Sequence, residues 1–349
     1  MTSRSKICRM LTCAVALVAT VLGTGLMASP AAAQTKADDI KPIAIRIGWQ
    51  PDANGVFFVA RKYNLFEKVG LTPEYVKFLS GPAMFAAMQS NSIDVTEMTV
   101  SPFVNGVSNG IPMVAIAVAF NEGKVNALVA RKGAGITSVK DLKGKKVAAT
   151  KGSLSYFGLA RELAKNGMTL SDIDYLNMTV PTIIPAMQHG DIDAAWAWEP
   201  WAQRLVADGG TIIGTVDDII GDVWAARKEW LAANPEAATR FIAAMDLAAK
   251  KIRDEPDITT PDVAEALAVS PAMAKEIMTQ VVSPTAAEQL DPNNPNTVID
   301  FASGKKGLGA SIKSTADFFQ QQGLIKGFPP LETVFDPTPL QNYSKRAGL

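Results

Sequence analysis

Cysteine is almost absent: Cys8 and Cys13 are the only two in 349 residues, and both lie in the opening stretch. Histidine is rarer still, with His189 alone. Around the cysteines, Arg4, Lys6 and Arg9 flank an apolar run from Met10 to Ala28, which ends in Ser29-Pro30-Ala31-Ala32-Ala33. A basic start, a short apolar middle and a small-residue A-x-A site mark a secretory signal peptide, with cleavage expected after Ala33. Met10-Leu11-Thr12-Cys13 comes too early for a lipoprotein site, so no lipid anchor is expected. The exported chain then carries no cysteine, which excludes a disulfide, a thiolate nucleophile and a Cys-ligated metal.

Charge of one sign is also missing. The whole chain balances 34 basic against 34 acidic residues. Losing Arg4, Lys6 and Arg9 leaves 31 against 34, a net of about −3. No basic block or aromatic-basic stripe stands out, which argues against nucleic acid. No later apolar run is long enough to span a bilayer. With one histidine, in the helix-end turn "QHGDID", there is no Ser-His-Asp set, H-E-x-x-H or metal cluster. Binding without catalysis, metal or cofactor is the expectation. The Gly-rich "GKKGLGAS" lacks the Gly-Lys-Ser/Thr order of a phosphate loop and reads as an exposed loop.

What is present is alternation. Ile43–Trp49 reads as a strand, Val56–Val69 as a helix, Glu74–Leu79 as a strand, Ala83–Gln89 as a helix and Ile93–Thr99 as a strand. Strand-helix alternation with brief loops predicts an α/β fold with a largely parallel sheet. Two internal echoes divide the chain. "FAAMQSNSIDV" (Phe85–Val95) returns as "IPAMQHGDIDA" (Ile184–Ala194), and "ALVARKG" (Ala127–Gly133) returns as "VWAARKE" (Val223–Glu229). Together they predict two like-built lobes: residues 41–131 with 227–349, and residues 132–226. After Trp230 the sequence is mostly helical.

In open α/β sheets, ligands sit beyond the C-terminal ends of the strands, where helix N-termini gather. Ser80-Gly81-Pro82, Ser101-Pro102, Gly152-Ser153-Leu154-Ser155 and Pro181-Thr182 each place hydroxyl or Gly residues at such a junction. Each is an ordinary N-cap taken alone. Repeated in both lobes, they predict an anion cradle of free N–H groups and helix dipoles. "DAAWAWEPW" (Asp193–Trp201) belongs to the same series and holds three of the six tryptophans. Its Glu199-Pro200 is matched with Ser101-Pro102, each taken as the last residue before a helix followed by Pro in the first turn. Glu199 either supports the helix dipole, for about 0.3–1 kcal/mol, or joins Trp198, Asp222 and Trp224 in receiving an ammonium group. Trp196 is expected in the core, and Trp201 on the next helix.

"NLFEKVGL", "LSGPAMFAAMQSNSIDV", "GITSVKDLKGKKVAATKGS", "AMQHGDIDAAWAWEPW", "DVWAARKEWLAANPE" and "TADFFQQQGLI", in this order, resemble the nitrate/sulfonate/taurine substrate-binding proteins of ABC importers, most closely the taurine-binding branch. The resemblance implies a type II periplasmic binding protein: two α/β lobes joined by two crossover strands and closing on ligand by hinge motion. It also implies a monomer that delivers a small molecule to an ABC permease and its ATPase. Carried over by position, the ligand groups are Gln50, Ser80, Gly81, Ser101, Asn126, Ser155, Tyr156, Trp198 and Asp222, the last facing the substrate amine. Glu199 departs from the family pattern, and its extra carboxylate favours a zwitterion such as taurine over a simple alkanesulfonate or nitrate. A pyrimidine or other heteroaromatic, or a cationic amine, is the alternative ligand. Thiamin-pyrimidine synthases, a related branch, consume their own His and use a Lys-bound cofactor beside a Cys-rich motif. The exported chain lacks that motif and has its His in a turn.

Overall fold

A computed structural model describes residues 41–122, 126–215 and 221–349; the expected signal peptide, residues 1–33, lies outside the described residues. The first pass of the chain forms β1 (Ile43–Trp49), α1 (Gly55–Lys62), α2 (Leu65–Lys68), β2 (Leu71–Lys77), α3 (Gly81–Gln89), β3 (Val95–Thr99), α4 (Val100–Ser108) and β4 (Met113–Glu122). A second pass forms β5 (Asn126–Ala130), β6 (Lys146–Ala149), α5 (Leu154–Lys165), β7 (Asp174–Asn177), α6 (Val180–His189), β8 (Ala194–Trp198), α7 (Trp201–Ala207) and β9 (Thr211–Thr215). The return adds β10 (Gly221–Arg227), α8 (Lys228–Ala233), α9 (Pro235–Asp254), α10 (Pro256–Leu267), α11 (Pro271–Gln280), β11 (Val281–Val282), α12 (Ala286–Leu290), α13 (Gly307–Gln321) and α14 (Thr338–Ala347).

Two sheets result, ordered β2-β1-β3-β10-β4-β11 and β7-β6-β8-β5-β9. Each is parallel at its centre, β1 with β2 and β3 and β6 with β7 and β8. Each also seats one antiparallel strand that arrives from the other sheet: β10 between β3 and β4, and β5 between β8 and β9. The two echoes are therefore equivalent strands, β3 with β8 and β10 with β5. The expected boundaries need correction. The chain changes sheet between Glu122 and Asn126 and returns between Thr215 and Gly221, not at Arg131 and Ala226. The Arg-Lys points end a strand already seated in its new sheet; the crossing precedes the echo.

Those Arg ends are anchors. Arg227 donates to Asp94 Oδ1 at 3.0 Å and to the Ile93 carbonyl at 3.5 Å. Arg131 repeats the pattern, reaching Asp193 Oδ1 at 3.3 Å and the Ile192 carbonyl at 3.0 Å. Asp94 is held further by the backbone N–H of Arg46 at 2.9 Å and its guanidinium at 2.7 Å. Asp193 accepts from the backbone N–H of Lys146 at 3.1 Å. The first knot is buried, with the Arg227 and Asp94 side chains 9% and 4% exposed. The second is half-open, at 28% and 24%.

Other local departures have plain causes. The helix expected over 56–69 breaks at Asn64, which takes a left-handed φ of 53°, a conformation Asn tolerates. "GKKGLGAS" is not wholly a loop: α13 begins at Gly307. A Cβ on Gly309 would lie 2.3 Å from the Phe301 carbonyl, so a residue without a side chain lets this helix seat closely. Trp196 is fully buried as expected, its ring filling the space above Gly158.

Burial alone would push the Asp94 carboxyl up; hydrogen bonds from Arg46 and Arg227 outweigh it and hold the pKa below its usual value. Its contribution to stability is thus complete above the ordinary carboxylate range and fades as pH falls through the lowered pKa. Asp94→Ala should cost about 3–5 kcal/mol near neutral pH, because it leaves a buried guanidinium without its carboxylate. Asp193→Ala should cost about 1 kcal/mol or less. Urea denaturation of both variants checks the contrast; equal losses would mean that burial does not set the strength of these knots.

Candidate functional site

Strand-to-helix junctions from both lobes converge. Ser80 precedes α3 in extended conformation and Gly81 opens that helix. A Cβ on Gly81 would lie 3.7 Å from Pro102, so the starts of α3 and α4 abut. A Cβ on Gly152, in the turn before α5, would lie 3.3 Å from Pro82. The second lobe's turn thereby meets the first lobe's helix start. Ser101, Leu154, Phe157 and Arg161 line a small cavity of about 110 Å³ between α4, α5 and α13. Phe157 meets Phe319 of α13 with ring centroids 4.2 Å apart. The N-termini of α3, α4 and α5 thus gather in one place.

Of the expected residues, Gly81 and Ser101 lie at these helix starts. Ser80, Ser101, Asn126, Ser155, Trp198, Glu199 and Asp222 are buried, and Gln50 and Tyr156 are half-buried. Tyr156 packs edge-on against Phe157 and Tyr175, with centroids 5.5 and 5.4 Å away. Asn126 pairs with Trp198 across β5 and β8, and Asp222 pairs with Thr99 across β10 and β3. This register corrects the matching of Ser101 with Glu199. The equivalent of Trp198 is Thr99; Ser101 lies inside the first turn of α4, whereas Glu199 precedes the Pro200 cap of α7.

Buried polar atoms are nearly always hydrogen-bonded. Here Gln50 Oε1, Asp52 Oδ2, Thr99 Oγ1, Ser155 Oγ and Trp198 Nε1 meet no partner among the described residues. Tyr75 Oη, Trp196 Nε1 and Asn296 Oδ1 are likewise without a partner among the described residues. Asp52, Glu97, Thr99 and Arg161 were not singled out in the sequence. Glu97 carried a signal, since it sits in the middle of "VTEMT", a strand buried at every position. Among the described residues no group of three His, Cys, Asp or Glu side chains is placed to hold a metal ion.

Glu199 is engaged locally. Its Oε2 accepts from the Gln203 backbone N–H at 3.2 Å, and the Gln203 amide donates to Glu276 of α11 at 3.1 Å. Next to them, Arg204 donates to the Ala268 carbonyl at 2.9 Å, where α10 ends. Helix α7 of the second lobe is therefore fastened to α10 and α11. Burial, with the Glu276 charge added to it, pushes the Glu199 carboxyl up to about 7 against the pull of the Gln203 N–H.

A family model described as NMT1-like matches residues 38–268. A taurine-binding periplasmic protein of Escherichia coli (strain K12) is 31% identical over 215 residues, 59% of this chain and 64% of that one. The chain thus spans a little under two thirds of that relative. A second Escherichia coli (strain K12) protein, named for binding aliphatic sulfonates, is 27% identical over 87% of this chain and 92% of its own. The alkanesulfonate-binding protein of Xanthomonas axonopodis pv. citri, solved with MOPS, superposes with a TM-score of 0.71. It is 20% identical and covers 85% of this chain and 99% of its own, which establishes the shared periplasmic-binding-protein fold.

A carboxyl whose folded-state pKa lies above its unfolded value costs stability increasingly as pH rises from about 4.5 through about 7. Glu199→Gln keeps an acceptor for Gln203 and removes that cost. The variant should match the parent near pH 4 and exceed it by roughly 3 kcal/mol at about pH 8, the linkage value of the shift. Chemical denaturation at both pH values checks this, and a pH-independent difference would show that Glu199 ionises as readily folded as unfolded.

Proposed function

This chain belongs to the NMT1-like family, and we propose that it works as the extracytoplasmic binding protein of an ABC importer. It captures a small aminosulfonate such as taurine between its lobes and hands it, as a monomer, to a permease driven by a partner ATPase. The observation that carries the reading is the convergence of three helix N-termini from both lobes. The starts of α3, α4 and α5 bring Ser80, Gly81, Ser101 and Ser155 together beside Arg161. Free N–H groups and helix dipoles there hold a sulfonate without neutralising it chemically. Asp222, buried at the start of β10, stands for the amine end. Gln50, Asn126 and Tyr156 add polar contacts, and Trp198 with Glu199 closes the second lobe's side. The three relatives above are named for binding taurine, aliphatic sulfonates or alkanesulfonates, which fits capture without turnover.

A second reading, a cationic amine with no sulfonate, draws on the carboxylates: Asp52, Glu97, Glu199 and Asp222 are all buried.

A thermal-shift panel on the mature chain separates these readings. Taurine at 100 times its Kd should add about 2.7 kcal/mol of stability, with a smaller effect from alkanesulfonates and none from pyrimidines. A response to amines alone would move the assignment to the second reading. Asp222→Asn should weaken taurine by at least about tenfold more than it weakens an alkanesulfonate, a difference of roughly 1.4 kcal/mol. Equal losses in calorimetric titration would make Asp222 a structural residue.

A further inference from the structure

The sheet of the second lobe divides that lobe's core in two. Along β8, Ala194 and Trp196 face one side, and Ala195 and Ala197 face the other. The first side packs on α5, and its buried apolar cluster runs on into the core of the first lobe. Phe157 of α5 and Phe319 of α13 make the join: both are buried, with ring centroids 4.2 Å apart. The other side packs on α6 and α7, through Ile183 and Leu205 among others, and its cluster is separate. Among the described residues, buried apolar packing therefore continues from lobe to lobe beside α5 and stops short of the first lobe beside α7.

Beside α7 the contact is polar. Helix α10 ends at Ala268, whose N–H bonds to the Ala264 and Glu265 carbonyls. The carbonyls of Leu267 and Ala268 lie past the last turn, where a helix has no N–H left to offer them. Arg204 of α7 donates to both, at 3.4 and 2.9 Å. A guanidinium there also meets the negative end of the helix dipole. Its place is prepared within α7 itself, since Arg204 Cζ lies 4.8 Å from the centroid of the Trp201 ring. One residue earlier, the Gln203 amide donates to Glu276 of α11 at 3.1 Å.

The two sides respond differently when the lobes separate. Parting Phe157 from Phe319 puts apolar surface into water. Parting α7 from α10 and α11 frees groups that water bonds in their turn, so each contact there has a small net worth. We propose that Arg204 is a positioning residue for ligand capture: it latches α7 onto the end of α10 as the lobes close, while the α5–α13 ring contact stays made and serves as the pivot. Arg204 acts through the angle between the lobes, and it lengthens the life of the closed state rather than speeding the encounter. The proposal rests on the reading of the chain as a binding protein that closes on a small ligand.

Electron–electron distance measurements between paired spin labels test it. Residues 34–349 contain no cysteine, so labels go only where a cysteine is introduced. Ala207→Cys with Ala272→Cys spans the latch, and Lys165→Cys with Gln320→Cys spans the pivot; all four positions are exposed. Without ligand the latch pair should give a broad distribution that taurine narrows and shortens, and the pivot pair one distance throughout. In stopped-flow fluorescence, Arg204→Ala should leave the association rate of taurine unchanged and speed its release about tenfold, the worth of one hydrogen bond to a charged group. Arg204→Lys, which also donates to carbonyls, should recover most of that loss.

Equal movement at both label pairs, or bound taurine that moves neither, overturns the proposal. So does an Arg204→Ala chain with unchanged release and an unchanged latch distance. If taurine does not bind at all, the aminosulfonate reading falls, and the latch is judged on the free chain. There Arg204→Ala must broaden the latch pair alone, and a broadened pivot or no change overturns it. If Arg204→Ala does not fold, the parent chain's two distances decide in the same way.

Discussion

An arginine reaching back to an aspartate fastens each strand that has crossed from the other lobe, and the arrangement of the site depends on that contact. A visiting strand slipped by one residue would turn every side chain to the opposite face. Arg227 on Asp94 and Arg131 on Asp193 pin the far ends of β10 and β5 against the residue that leads into β3 or β8. With the far end pinned, the near end has no choice of register. Asp222 arrives beside Thr99 and Asn126 beside Trp198. Arg227 and Asp222 are five residues apart, about 17 Å along a strand. An ion pair at one end of the strand thus decides which side chain stands opposite Thr99 or Trp198 at the other.

The frame is repeated, but the chemistry placed on it is not. Glu97 of β3 occupies the post that Trp196 holds in β8, and Asp222 occupies that of Asn126. In the second lobe the Trp196 ring fills the space over Gly158 and makes ordinary core. The same position in the first lobe carries a buried acid, Glu97, which is costly unless something offsets it. The second lobe demonstrates that this frame accepts an apolar residue there.

Much of this was legible in the sequence because the repeat was. The echo of "SIDV" in "DIDA" located β3 and β8, and "ARK" located the ends of β5 and β10. The order of strands within each sheet was not legible, nor was the point of crossing, because Arg-Lys reads equally well as a lobe boundary or as a strand end. It takes the contacts with Asp94 and Asp193 to decide. Asp52 was hidden for a different reason. "QPDANG" has the composition of a turn, and Asp52 is a turn residue; only the fold brings it against Glu97, 45 positions later. Arg161 looks like the polar face of α5 until α4 and α13 close around it.

Glu199 and the first-lobe acids sit in two settings that the sequence could not tell apart. The Glu199 carboxylate is turned onto its own helix, and through Gln203 and Arg204 its neighbourhood extends to Glu276 of α11 and the end of α10. Its burial comes at the seam where α7 meets helices of the other lobe. An acid there is tolerated because one backbone N–H supports it, and its ionisation weakens the seam as pH rises. Glu97 lies instead within the first lobe, on the face of β3 that also carries Thr99, with Asp222 opposite on β10. Residues at a seam respond to how far the lobes have closed, whereas residues within one lobe keep their geometry through a hinge motion. Glu97, Thr99 and Asp222 therefore keep one geometry, set by the register of β3 with β10, wherever the second lobe stands.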